Sequence, residues 1–222
     1  MDKLEIFEWI LRIPIVLLSL TVHEVAHGYA AYKLGDPTAR NLGRLSLNPI
    51  KHLDPIGALC MLVFRFGWAK PVPINTRYFK KPKRDMAISS LAGPLSNLIM
   101  AFIAFIISKY IFQFGTFGVF SLGDTFEGRL WYILYLFFST FFWMNISLAV
   151  FNFLPVPPLD GSRILFVLLP DKLYFGIMKY EQYIYYGLLA CLAFGLLDGV
   201  LSGVIALFTT AFDFIAGFLP FL

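Results

Sequence analysis

Charge is scarce in this sequence. Only 14% of its 222 residues are Asp, Glu, Lys or Arg, against 59% hydrophobic and 18% aromatic, where a soluble domain carries roughly a quarter charged residues. A chain this poor in charge cannot cover a surface that faces water, which excludes an ordinary cytosolic fold. Its apolar richness excludes disorder. Cysteine is nearly missing as well. Cys60 and Cys191 lie far apart in apolar runs, which excludes both a disulfide framework and a cysteine metal cluster. Internal repeats and low-complexity linkers are lacking. Residues 1–8 are acidic and lack the basic start of a secretory signal, so the first apolar run is expected to stay as structure rather than be cleaved. The net charge of +4 does not point to nucleic acid, because Lys and Arg in an apolar chain mark one membrane face.

What the chain does have is long runs without charge. Residues 86–108 and 130–159 carry none, and a bilayer span needs about 20 residues. Residues 9–32 form a third candidate, marred by Arg12, Pro14 and the cluster His23, Glu24, His27. Residues 183–197 and 199–212 are shorter runs broken at Asp198, expected as a helical pair or as one kinked helix. The apolar stretch 56–64 is too short to span as a helix and reads as re-entrant or strand-like. The fold class expected is an all-α polytopic membrane protein of about five transmembrane helices. The first three form its core, with a short membrane-associated β-strand or hairpin between helices one and two. One domain covers 1–222, with a core over about 5–165 and C-terminal helices over about 172–222. Eleven basic residues against two acids, Asp36 and Asp54, lie between Lys33 and Arg84, which places that segment in the cytoplasm. His23 and His27 then share a leaflet with Pro155 to Asp160.

His23-Glu24-Val25-Ala26-His27 is an HExxH motif. On a helix, positions i and i+4 share a face, so both imidazoles can reach one metal ion, with Glu24 beside them. Ionisable side chains within a span are costly and usually functional. Catalytic zinc takes three protein ligands and leaves a position for water. Asp36, in the turn signal Gly35-Asp36-Pro37, and His52 are available as third ligand. Asp160 is the better candidate, since Pro155, Pro157 and Pro158 unwind the chain just before it, and unwound backbone at membrane depth is tolerated where it lines water.

With Asn152-Phe153-Leu154-Pro155-Val156-Pro157-Pro158-Leu159-Asp160-Gly161 on a later helix, the HExxH helix resembles the site-2 protease family of intramembrane zinc metalloproteases, peptidase family M50. The segments Asn48-Pro49 through Gly57 and Ala92-Gly93-Pro94-Leu95-Ser96-Asn97 also match its pattern. The resemblance covers roughly residues 15 to 165 and corresponds to a minimal form, without a PDZ insertion or a C-terminal regulatory domain. It implies a three-helix catalytic core, one Zn²⁺ ion, and cleavage of a transmembrane protein substrate such as a single-span regulator, in the lipid bilayer. His23, His27 and Asp160 would hold the metal. Glu24 would be the general base, and Asn152, eight residues before Asp160, the donor to the oxyanion. The expected location is the plasma membrane of a prokaryote, multi-pass, with the active site toward the cytoplasmic side.

Two other readings stand beside this one. A catalytically silent membrane scaffold of the same fold would have no need of Glu24. A zinc transporter should show repeated halves or polar residues at several depths. Gly93, Ser96 and Asn97 are expected to serve close helix packing, with a substrate contact as the alternative. Residues 61–75 are expected either to offer a strand edge that holds an extended substrate beside the metal or to form a simple amphipathic re-entrant loop.

Overall fold

The computed structural model describes residues 3–57, 69–114 and 126–218. Every long element in it is a helix, as a chain that must satisfy its own backbone in hydrocarbon requires. Helix α1 (Lys3–Lys33) carries the HExxH motif. A one-turn helix α2 (Thr38–Asn41) follows, then 3₁₀ turns at Pro49–Lys51 and Thr76–Tyr78. Helices α3 (Pro82–Phe114) and α4 (Phe126–Phe153) are the two long apolar rods. Four shorter helices complete the described chain: α5 (Asp160–Phe166), α6 (Asp171–Met178), α7 (Glu181–Ala193) and α8 (Asp198–Ala216).

Helix α3 is the centre of the bundle, packed on α1, α4 and α5. Ile15 from α1, Ala101 and Ala104 from α3, Phe141, Phe142, Ile146 and Val150 from α4, and Phe212 from α8 close into one buried cluster. Large apolar side chains on the outer faces, among them Leu18, Ile103, Trp143 and Phe214, stay exposed, as lipid-facing residues should.

Four described helices are long and apolar enough to cross a membrane: Trp9–Lys33, Pro82–Gln113, Phe126–Phe153 and Asp198–Ala216. About five were expected, and four are found among the described residues. The difference lies in α7. Its 13 residues rise only about 20 Å, short of a hydrocarbon core of about 30 Å. It ends in a reversal that separates it from α8. Gly195 has φ +68°, the Gly195 amide donates to the Leu192 carbonyl at 3.1 Å and that of Leu196 to Cys191 at 2.9 Å. This is a Schellman closure, which needs the left-handed residue that glycine supplies without strain. The run around Asp198 is thus a helical pair.

The expected hairpin between the first two spans falls mostly on residues 58–68, outside the described residues. On either side of them, Leu53 and Ala69 form one antiparallel bridge, and the Lys70 amide donates to the His52 carbonyl at 2.9 Å; no longer strand is present among the described residues. The stretch 70–75 is tied to α1 and to the turn after it. The amide of Val72 donates to Glu24 at 2.7 Å and that of Asn75 to Asp36 at 2.7 Å, while Pro71 and Pro73 have no amide to offer. The described half of the expected clamp is a strut across α1.

Candidate metal centre

Helix α1 delivers His23 and His27 to the same face, one turn apart, and both are buried. The rings meet edge to face, with centroids 4.5 Å apart. Helix α4 ends at Phe153, six residues run unwound through the prolines, and α5 begins at Asp160. The restart turns the Asp160 carboxylate onto the two histidines. Its Oδ2 lies 3.3 Å from His23 Nε2 and 3.2 Å from His27 Nε2, and the two Nε2 atoms are 3.0 Å apart. Gly161 makes this return possible, since a Cβ there would run into the carbonyls of Phe153 and Leu154.

The protons of the site can be assigned from its partners. His27 Nδ1 lies 2.7 Å from the Ser89 carbonyl oxygen. A carbonyl only accepts, so Nδ1 carries the hydrogen. His23 Nδ1 lies 2.6 Å from Asn97 Oδ1. In the neutral rings both Nε2 atoms are then bare lone pairs, turned toward each other and toward a carboxylate oxygen. Three such acceptors at this range repel one another unless a cation, a metal ion or a proton, sits among them. Ligands held at about 2.0–2.1 Å by a tetrahedral zinc ion are roughly 3.3 Å apart, which is the spacing of this trio. Second partners on Nδ1 are how metal-binding histidines are usually held. The residues fit zinc. Among the described residues, these three are the one group of His, Cys, Asp and Glu with this convergence.

The alternative third ligands are committed elsewhere. Asp36 is fully buried. One of its oxygens accepts from the amide and hydroxyl of Thr38 at 2.9 and 2.5 Å, the other from the Asn75 amide. It closes the end of α1, where Gly35 at φ +109° stops the helix. His52 is buried, with Nε2 donating to the Ser46 carbonyl at 2.8 Å. Asn152 donates to the Leu148 carbonyl at 3.0 Å, one turn back in its own helix. No hydrogen bond joins it to His23, His27 or Asp160 among the described residues, though its second N–H is left over.

Gly93 stands directly against the two histidine rings. A Cβ there would collide with the His27 ring and lie 2.7 Å from His23 Cε1. Ser89, Gly93 and Asn97 thus form one stripe of α3, four residues apart, facing the histidines. The packing role expected for Gly93 holds, and its reason is the imidazoles.

The sequence model for peptidase family M50 matches residues 12–195, more than four-fifths of the chain and all of the residues above. The chain belongs to peptidase family M50. It is 46% identical over 170 residues to the candidate zinc metalloprotease YwhC of Bacillus subtilis (strain 168), covering 76% of this chain and 73% of that one. It is 30% identical over 151 residues to the candidate zinc metalloprotease Rip2 of Mycolicibacterium smegmatis, of whose length it spans 52%. It is 27% identical over 171 residues to the zinc metalloprotease MJ0392 of Methanocaldococcus jannaschii, covering 77% of this chain and 37% of the relative. No solved structure matches the chain.

Three residues that complete the site were not singled out by sequence: Ser19, Ser89 and Asn145. Asn145 is fully buried in the middle of α4. The cost of an amide inside an apolar span is the signal that could have pointed to it.

Proposed function

We propose that this zinc metalloprotease of family M50 cleaves a peptide bond within or beside a transmembrane segment of another membrane protein. The observation that carries the reading is the convergence of His23, His27 and Asp160, two of them inside a membrane-length helix. These three residues would hold one zinc ion, which supplies a Lewis acid for the scissile carbonyl and makes a bound water acidic. Glu24 lies between the two histidines in sequence and is only partly buried. One of its oxygens accepts from Val72, which leaves the other to take the proton of the attacking water and pass it to the departing amine. The spare amide hydrogen of Asn152 would meet the negative oxygen that develops on the substrate. The substrate class is a single-span protein, and the unwound stretch 154–159 together with the strut 70–75 would flank its extended chain.

The test separates binding from chemistry. Glu24→Gln should keep zinc near one ion per chain while cleavage of a single-span reporter falls at least about 10³-fold, in the range expected for losing a general base. Asp160→Ala should lose zinc as well. Stoichiometric zinc with full cleavage in the Asp160→Ala protein would overturn the assignment.

A further inference from the structure

Between the three long core helices runs a continuous chain of polar groups, all of them buried. Asn145 on α4 donates through Nδ2 to the Phe141 carbonyl at 2.9 Å and to Ser19 Oγ at 2.9 Å. The Ser19 hydroxyl donates onward to the Ile15 carbonyl at 2.8 Å. Asn145 Oδ1 accepts from Asn97 Nδ2 at 2.8 Å, and the same nitrogen donates to the Ser19 carbonyl at 3.3 Å. Asn97 Oδ1 then faces His23 Nδ1 at 2.6 Å. Ser19, Asn97 and Asn145 are all fully buried.

The direction of this chain is not free. An amide can be turned over, exchanging its donor and acceptor ends. Here each amide is pinned by a group that only accepts: Asn145 by the Phe141 carbonyl, Asn97 by the Ser19 carbonyl. Asn145 adds the acceptor that completes the environment of Asn97 Nδ2. Turned over, Asn97 would set its oxygen against Asn145 Oδ1 and the Ser19 carbonyl, and its nitrogen against His23. The orientation observed forces an acceptor onto His23 Nδ1, and so the hydrogen onto Nδ1 and the lone pair onto Nε2. His27 needs no such device, since its Nδ1 meets the Ser89 backbone directly.

We infer that Asn145 is a positioning residue that, through Asn97, fixes the tautomer and ring orientation in which His23 presents Nε2 to the metal. It lies on a different helix from every ligand and acts across the seam of all three core helices. Losing the partner behind a ligating histidine typically costs about 10–100-fold in metal affinity. The inference rests on His23 being a zinc ligand, as proposed above.

The experiment uses the full chain in detergent, with zinc affinity measured by competition against a chelator, and the ring signals of ¹³C,¹⁵N-histidine recorded with and without zinc. The chain has only three histidines, so each can be assigned. In the parent, zinc-free chain at neutral or higher pH, His23 and His27 should show the Nδ1–H pattern. His52, whose Nε2 donates to Ser46, should show the opposite one. Asn145→Leu removes the shorter of the two bonds of Asn97 Nδ2, leaving only the 3.3 Å contact with the Ser19 carbonyl, and should lower zinc affinity about 10–100-fold, with the His23 signal moving away from that of His27. Asn145→Asp keeps an acceptor toward Asn97 and should stay within about threefold of the parent affinity, although it buries a charge and is the less favourable change for folding. If the Leu protein does not accumulate, Asn145→Ser takes its place, being too short to reach Asn97. Zinc affinity that follows thermal stability, with the Asp protein worst, would overturn the inference. So would an unchanged His23 signal in the Leu or Ser protein. A parent chain that takes up no zinc would instead sink the metal reading of His23, while its zinc-free spectrum would still decide whether Asn145 sets the tautomer.

Discussion

A single missing carbon atom decides whether the two imidazoles can meet. Gly93 lies where α3 crosses the histidine pair, and any side chain there enters the volume of the His23 and His27 rings. Gly93→Ala should therefore drop zinc content by about 10-fold or more and cleavage on the order of 10²-fold, the scale of a displacement near 1 Å at a reacting centre. Total helix content by circular dichroism should stay the same. Metal analysis and a reporter assay on the purified variant check this, and a fully loaded, active Gly93→Ala protein would contradict the geometry. At this scale the sequence was most legible where the chemistry is local. The meeting of His23 and His27 could be read in advance because the i, i+4 spacing on one helix is enough to bring two imidazoles together. Asp160 was readable through its prolines and through the family pattern. Asn145 and Ser19 were not readable, because their meaning lies in a three-helix seam and no short-range spacing encodes it.

The same contrast holds for whole elements. Helices α3 and α4 follow from uninterrupted apolar length, and the break before Asp160 follows from three prolines. The break at Asp198 left a helical pair and one kinked helix equally open for α7 and α8, since apolar residues continue through the reversal at Gly195 that decides between them. Helix α8 joins the bundle by a small footprint. Only 11% of its apolar window is buried, chiefly through Phe212, whose ring meets Phe102 at 5.0 Å and Phe105 at 5.9 Å. An ion pair of Lys109 with Asp213 at 2.8 Å lies beside it. Phe212→Ala should weaken the docking of α8 by about 1–3 kcal/mol, the worth of two aromatic pairs. Zinc content should be untouched, because none of the site residues lies on α8. Hydrogen exchange should quicken in residues 198–216 and stay unchanged in α1 and α3. Equal quickening in all of them would mean that α8 is integral to the core.

At the scale of the molecule, orientation is the open quantity, and charge argues for one answer. The segment from Lys33 to Arg84 holds eleven basic residues and two acids. Both acids accept from backbone amides, the buried Asp36 from Thr38 and Asn75, the half-buried Asp54 from Ile56 and Gly57 in its own turn. We expect this segment on the cytoplasmic side. With Cys60 and Cys191 replaced, single cysteines at Lys81 and at Glu127 should label from opposite faces of sealed vesicles. Labelling from one face would separate the histidines from the leaflet assigned to them. Helix α1 carries a further consequence for the whole molecule. Ten residues separate His23 from Lys33, the last residue of the helix, which is about 15 Å of helical rise. The trio thus sits about half a hydrocarbon core below the mouth of its own helix. On the function proposed above, the scarce reactant at that depth would be water and the plentiful one the membrane-bound peptide. Turnover would then be set by how fast water returns along the unwound stretch 154–159 after each cut, so a narrowed stretch should slow hydrolysis in proportion while leaving the hold on the peptide as it was.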